Sequence, residues 1–511
     1  MSLLDPAGEP PIGPTPKPSI LARTTRGVGW IVGFRMFTRI LGSASTFVVA
    51  GLLLPAEFGL WALGIATMQM VETFSYVGVE DALVREKTPT RDLYDTAFTL
   101  NLLRGVLIAV ILLAGAYPAS VLYTEPSLVF IMLMLAFATL VESSGNIGMV
   151  EYRRNFEFDR EFFWLAAPRV LQVLVTIAVA VATRNYLALV AGILVNRLSK
   201  WFLGYWLHPF RPRLSLGSWR HLLGFSAWTW AISLAILLRE QGPKAVIGIM
   251  MPVRFVGLFV NGSDLAAIPV TELVAPMSRA AFSGFSAGRN EGEDGADTYM
   301  RVVSLLAVVT LPLGIGLSAL ADPMLRVTIG LGWLEAAPLI AIFSVMSAFS
   351  VYGYLGWTLF FVHGHLRLIF VIALLDAVVR LALMVWLTPS WGLMAGVFAV
   401  FVTAMAEDLA YVVLVRFYFR TRFATMWSRN WRFLVATAVM AIMLYALGLG
   451  WVQVVGSRGT VAIYLGWVIP LGAAVYAATL LGLWAISGRP GGTEADMLRY
   501  ARGRLLLLTR R

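Results

Sequence analysis

The side chains in this chain that could do chemistry stand in unusual places. Ionisable residues interrupt long apolar runs. In the first half these are Arg35, Arg39, Arg104, Arg169, Arg197 and Lys200 against Glu72 and Glu142. In the second half they are Asp264, Glu272, Asp376, Glu407 and Asp408 against Arg380. The local balance is +4 in the first set and −4 in the second. A charge at bilayer depth costs about 3 kcal/mol on insertion scales, so such groups pair, line water or meet a ligand. A guanidinium matches phosphate oxygens as a planar fork and stays charged when desolvated. Arg35 and Arg39 are four apart and point the same way on a helix. With Arg104 and Arg169 they are the candidates for holding an anionic, phosphate-bearing headgroup. Glu72, Asp264, Glu272, Asp376 and Glu407 are candidates for taking up a proton or Na⁺.

A plainer reading of each stays open. Arg35 and Arg39 could snorkel to the interface or pair with Glu72. Arg169 could be interfacial, and Arg197 with Lys200 could continue a basic edge. Asp376 and Arg380 have the spacing of an intrahelical pair. Glu407 and Asp408 stand near a helix end where solvent suffices. There is no cysteine and there are only four histidines. His363 and His365 fall in a turn, so no metal site and no cofactor is expected beyond H⁺ or Na⁺.

The elements that must carry these charges are membrane helices. Of 511 residues, 59% are hydrophobic and 14% charged, against roughly 25% charged in soluble domains. Fourteen apolar runs are long enough to span. They cover 27–54, 59–79, 95–117, 128–149, 163–183, 186–207, 223–241, 255–277, 298–321, 336–361, 366–387, 392–415, 431–451 and 460–486. Arg239, Glu240, Pro243 and Lys244 interrupt the seventh and eighth, so Arg239 and Lys244 are assigned to an outside loop. With both termini inside, twenty-six basic residues fall on inside segments and six on outside ones. That bias orients the chain by the positive-inside rule. It also accounts for the net charge of +11 without a nucleic-acid partner. The expected location is the bacterial inner membrane, multi-pass, both termini cytoplasmic. No loop exceeds about 20 residues, so there is no room for an extramembrane catalytic domain and the chain is not expected to be an enzyme.

An internal repeat divides the spans. Gly51, Pro55 and Phe58 recur as Gly248, Pro252 and Phe255 at an offset of 197, and Asp95-Thr96 recurs as Asp297-Thr298 at 202. Both copies run the same way, as in transporters built of parallel halves. The expected organisation is a cytoplasmic tail (1–26), a six-helix lobe (27–207), a cytoplasmic linker (208–222) and a second six-helix lobe (223–415). A loop with two extra helices (416–486) and a basic cytoplasmic tail (487–511) follow.

Three stretches carry a resemblance: Leu52 to Leu63 (LLLPAEFGLWAL), Gly78 to Lys87 with Asp95 to Gly105, and Glu151 to Phe162 (EYRRNFEFDREF). They resemble the Wzx-type polysaccharide flippases of the multidrug/oligosaccharidyl-lipid/polysaccharide superfamily. The resemblance implies an all-α membrane protein with two six-helix bundles in a V plus two extra helices. It implies that undecaprenyl-pyrophosphate-linked oligosaccharide is moved from the cytoplasmic to the periplasmic leaflet by alternating access. The implied partners are that glycolipid, membrane lipids and other polysaccharide-assembly membrane proteins. The family's usual Arg before the Leu-Leu-Pro run is replaced here by Ala50-Gly51, so no role of that Arg carries over. A cation-coupled multidrug antiporter of the same superfamily, or a membrane polysaccharide polymerase or ligase, remains the alternative.

Overall fold

The computed structural model describes residues 37–38, 41–42, 44–75, 78–86, 89–155, 157–222, 227–268, 270–290, 295–420, 423–492, 494–495 and 499. Among them all regular structure is helical. The first lobe comprises α1 (44–52), α2 (Pro55–Phe74), α3 (Val79–Arg85), α4 (Arg91–Leu122), α5 (Ser127–Ser143), α6 (Val150–Arg154), α7 (Phe158–Thr183) and α8 (Leu187–Leu207). A short α9 (Trp219–Leu222) leads to the second lobe. That lobe holds α10 (Ala227–Met250), α11 (Arg254–Ala266), α12 (Ala275–Asn290), α13 (Ala296–Ala319), α14 (Ala321–Thr328), α15 (Ala337–Phe349), α16 (Val351–Val362), α17 (Leu366–Trp391) and α18 (Leu393–Tyr418). Finally α19 (Phe423–Ala446) and α20 (Arg458–Ile486) pack on α13 and α14.

Local signals set several boundaries. Pro55 opens α2, where its missing N–H costs nothing. Thr90 caps α4 by accepting from the Leu93 N–H at 3.3 Å. Eight helices are long and apolar enough to cross a membrane, and two pairs bent by 63° and 46° bring the number to ten. The bent pairs occupy predicted spans 4 and 8. Helices α2, α10 and α19 occupy predicted spans 2, 7 and 13 but do not meet the same measure of length and apolarity, and the first part of span 1 lies outside the described residues. The described helices therefore do not fix the count of fourteen.

One expectation is corrected. Arg239, Glu240 and Lys244 do not lie in an outside loop. Helix α10 runs unbroken from Ala227 to Met250 with Pro243 inside it, which puts all three in mid-helix. A proline is tolerated in a membrane helix when neighbours satisfy the freed backbone group. Two more basic residues and one acid thus belong to the interior of the second lobe.

The two copies of the repeat pack against each other. Helices α2 and α11 cross where Gly59 meets Gly257. A Cβ on Gly59 would collide with the Val253 carbonyl oxygen, and one on Gly257 with that of Pro55. Around this crossing Leu60, Leu63, Val256, Phe259 and Phe343 form a shared buried core. Trp333 donates to the Ala50 carbonyl at 2.8 Å and meets Phe58 edge-on at 5.4 Å. The lobes are therefore joined at the end where α2 begins.

At the opposite end, the first half of the predicted linker is strapped to the first lobe. The Arg213 N–H donates to Asp95 (2.8 Å) and the Ser215 N–H to Thr99 Oγ1 (2.9 Å). Ser215 and Ser218 hydroxyls both donate to Asp92 at 2.6 Å. The Asn146 amide donates to the carbonyls of Gly204, His208 and Phe210.

Candidate functional site

The polar residues of the first lobe gather at the linker end. Helix α2 joins the lobes at Gly59 and ends beside Arg104, about 20 Å away along its axis at 1.5 Å per residue. Arg104 Nη2 donates to the Glu72 backbone carbonyl at 2.9 Å, and its Nε to Ser75 Oγ at 3.2 Å. A cation at the last carbonyls of a helix is favoured by the helix dipole, so Arg104 fastens α4 to the end of α2. Glu72 is half-buried. Arg169 is half-buried on α7 and donates to Gln172 at 2.9 Å. Its Nη2 lies close enough to α1 to leave little room for a side chain at Gly42. Arg35 and Arg39 lie outside the described residues.

Sequence reasoning missed the partner that organises this end. Arg197 and Lys200, three apart on α8, share one face and both approach Glu142 of α5. The Arg197–Glu142 pair is in direct contact and Lys200 Nζ lies 3.8 Å away. Lys200 also sits over the Trp164 ring at 4.6 Å, and Trp164 Nε1 donates to the Lys200 carbonyl at 2.9 Å. A small cleft of about 90 Å³ opens beside this node, among α3, α4, α5, α7 and α8.

In the second lobe most of the acids are already matched. Arg239 Nη1 donates to both oxygens of Glu407, at 3.0 and 2.8 Å. Arg380 Nη2 lies 2.9 Å from the Asp376 carboxylate, and its Nε donates to Thr403 at 2.9 Å. The helical spacing of Asp376 and Arg380 thus gives the intrahelical pair it suggests. Asp408 lies against Gly353 of α16, where a Cβ would strike its carboxylate. Glu272 is exposed in the π-turn Val270–Val274. Asp264, on α11, is exposed as well.

A polar chain crosses between the lobes. Lys244 Nζ donates to Gln241 Oε1 at 2.8 Å, and Gln241 Nε2 to Gln69 Oε1 at 2.7 Å. Gln69 lies between Gly59 and Glu72 on α2. No pattern in the sequence marks this pair, because two amides 172 residues apart carry no spacing signal. His363 and His365 pack edge-on against Phe419 (4.9 Å) and Tyr418 (5.1 Å).

This arrangement is that of a helical bundle in which two lobes meet along α2, from the Gly59–Gly257 crossing to Phe74, whose carbonyl accepts from Trp230 Nε1 at 3.4 Å. Residues 48–338 match the polysaccharide biosynthesis protein family. The chain belongs to that family. Two curated members of similar sequence are the succinoglycan biosynthesis transport protein ExoT of Rhizobium meliloti and the lipopolysaccharide biosynthesis protein WzxC of Escherichia coli. The first is 22% identical over 64% of this chain and 67% of its own length. The second is 21% identical over 64% and 68%. In fold, the chain is similar to the lipid II flippase MurJ in its inward closed conformation. The TM-score is 0.71 at 13% identity, covering 90% of this chain and all of that one. An inward-facing multidrug resistance transporter of the MATE family follows, with a TM-score of 0.59 at 13% identity over 74% and 94%. The chain is thus a multi-pass bacterial membrane protein of a polysaccharide biosynthesis family, one relative of which is a transport protein of succinoglycan biosynthesis.

Proposed function

We propose that the protein moves an undecaprenyl-pyrophosphate-linked oligosaccharide from the cytoplasmic to the periplasmic leaflet by alternating access of the two lobes. The carrying observation is the polarity of α2: Gly59 locks the lobes at one end, and Glu72, Arg104, Arg197 and Lys200 collect at the other. The linker end is the cytoplasmic one, which keeps the basic segments inside. Arg35, Arg39, Arg104 and Arg169 are the groups that meet the pyrophosphate, and Arg104 is held at the end of α2. Asp264 and Glu272, which are exposed, are the acids that take up H⁺ or Na⁺. Asp376 and Glu407 are held by arginines that already do a cation's work. Those internal cations disfavour a cation-coupled drug antiporter working through the second lobe.

The test is a deletion strain whose lipids are extracted and assayed for the leaflet in which the glycolipid accumulates. Accumulation on the cytoplasmic leaflet, relieved by the wild-type gene but not by Arg35→Ala with Arg39→Ala, supports the reading. Normal arrival at the periplasmic face without the gene refutes it.

A further inference from the structure

The cleft at the linker end of the first lobe is not built for phosphate. Its cations are already neutralised: Arg197 and Lys200 face Glu142, and Arg153 Nε lies 2.9 Å from Glu161. Glu80 adds a third carboxylate to match the third cation. A pyrophosphate entering here would have to displace Glu142 or meet uncompensated carboxylates. A sugar ring meets neither obstacle. Its hydroxyls both donate and accept, and the wall offers guanidinium donors beside carboxylate acceptors together with the Asn101 amide. The apolar part of the wall comes from Phe98, Ile147, Met149 and Val150 and from two indoles, Trp164 of α7, one face of which Lys200 covers, and Trp201 of α8. Trp164 is fixed in place by its bond to Lys200, while Trp201 keeps 39% of its surface exposed. Flat aromatic faces beside dense donor–acceptor pairs suit the apolar face and polar rim of a pyranose.

We infer that this cleft is a carbohydrate subsite that receives an uncharged sugar of the cargo while the phosphates stay outside it. Position supports the assignment. Asn101 lies one helical turn before Arg104 on α4, so a sugar in the cleft stands next to the basic groups assigned to the headgroup. The inference rests on the reading of the cargo as a lipid-linked oligosaccharide.

The test introduces the photoreactive residue p-benzoylphenylalanine in place of Trp201, of Gln69 between the lobes, or of Val106, an exposed residue of α4. Full-length protein is irradiated in cells whose glycolipid carries radiolabelled sugar. Adducts are then treated with mild acid, which cleaves the bond between sugar and pyrophosphate. An adduct formed through the sugar keeps its label, and one formed through the lipid loses it. Retained label at position 201, and none at 106, is expected. A position 201 adduct that lacks sugar label, or loses it in acid, while position 69 keeps label, overturns the subsite and leaves the flippase reading standing. Absence of sugar label at both 201 and 69, with glycolipid present in the membrane, overturns both. Replacing Asn101 in the same way repeats the measurement if the position 201 protein fails to reach the membrane.

Discussion

The carboxylate of Asp95 accepts the backbone N–H of Arg213 at 2.8 Å. Its repeat partner Asp297 accepts from Arg429 Nη2 at 2.9 Å. In each lobe, the acid at the start of the third helix of the repeat holds the segment that leaves the sixth. The shared Asp-Thr pair therefore fixes the exit of the chain from its bundle. The linker is thus bonded to the first lobe as far as Ser218.

Asp95→Ala should release this strap. Asp95 is only 6% exposed, and losing a buried charged acceptor that leaves an N–H unpaired costs about 1–3 kcal/mol. Thermal unfolding in detergent should fall accordingly, and trypsin should cut faster after Arg213. Unchanged cleavage would mean the strap is held elsewhere.

Gly59→Ala and Gly257→Ala should each push α2 and α11 apart, because the added Cβ meets backbone and not a movable side chain. Overpacking of this kind costs about 1–3 kcal/mol, charged mainly to the state in which this end is joined. The chain has no cysteine, so a cysteine pair placed across the contact gives a clean cross-linking readout. Its yield should drop in either variant, and glycolipid export with it.

Arg239→Ala should be more damaging than Arg239→Ala with Glu407→Ala. The single change strands a half-buried carboxylate, a situation worth about 3–5 kcal/mol for buried pairs, whereas the double change removes both charges. The double-mutant cycle read by thermal unfolding checks this. Additive losses would show that the 2.8 Å pair contributes no coupling.

Glu142→Gln should weaken transport more than stability. The pair with Arg197 and Lys200 is partly solvated, so breaking it costs little folding energy. It leaves the cleft with one uncompensated positive charge. Export should fall while protein level in the membrane holds, and Glu142→Asp should restore part of it.

Composition and pattern determined a good deal without coordinates. Apolar runs of spanning length dictate helices, since lipid leaves no other partner for backbone groups. The Pro55/Pro252 and Asp95/Asp297 repeats marked where the first helix of each half ends and where its third helix starts. The spacing of Asp376 and Arg380 sufficed for their pair, because four residues on a helix fix a distance locally. Only the tertiary structure decided what depends on packing between distant helices. Arg239 read as a loop residue because charge and proline interrupt an apolar run. It stays in mid-helix because Glu407, 168 residues later, neutralises it. Glu142 closes on Arg197, and Gln69 on Gln241, through contacts that no local period encodes. Those long-range pairs settle which charges are matched within the fold and which of them line the cleft where a sugar can bind.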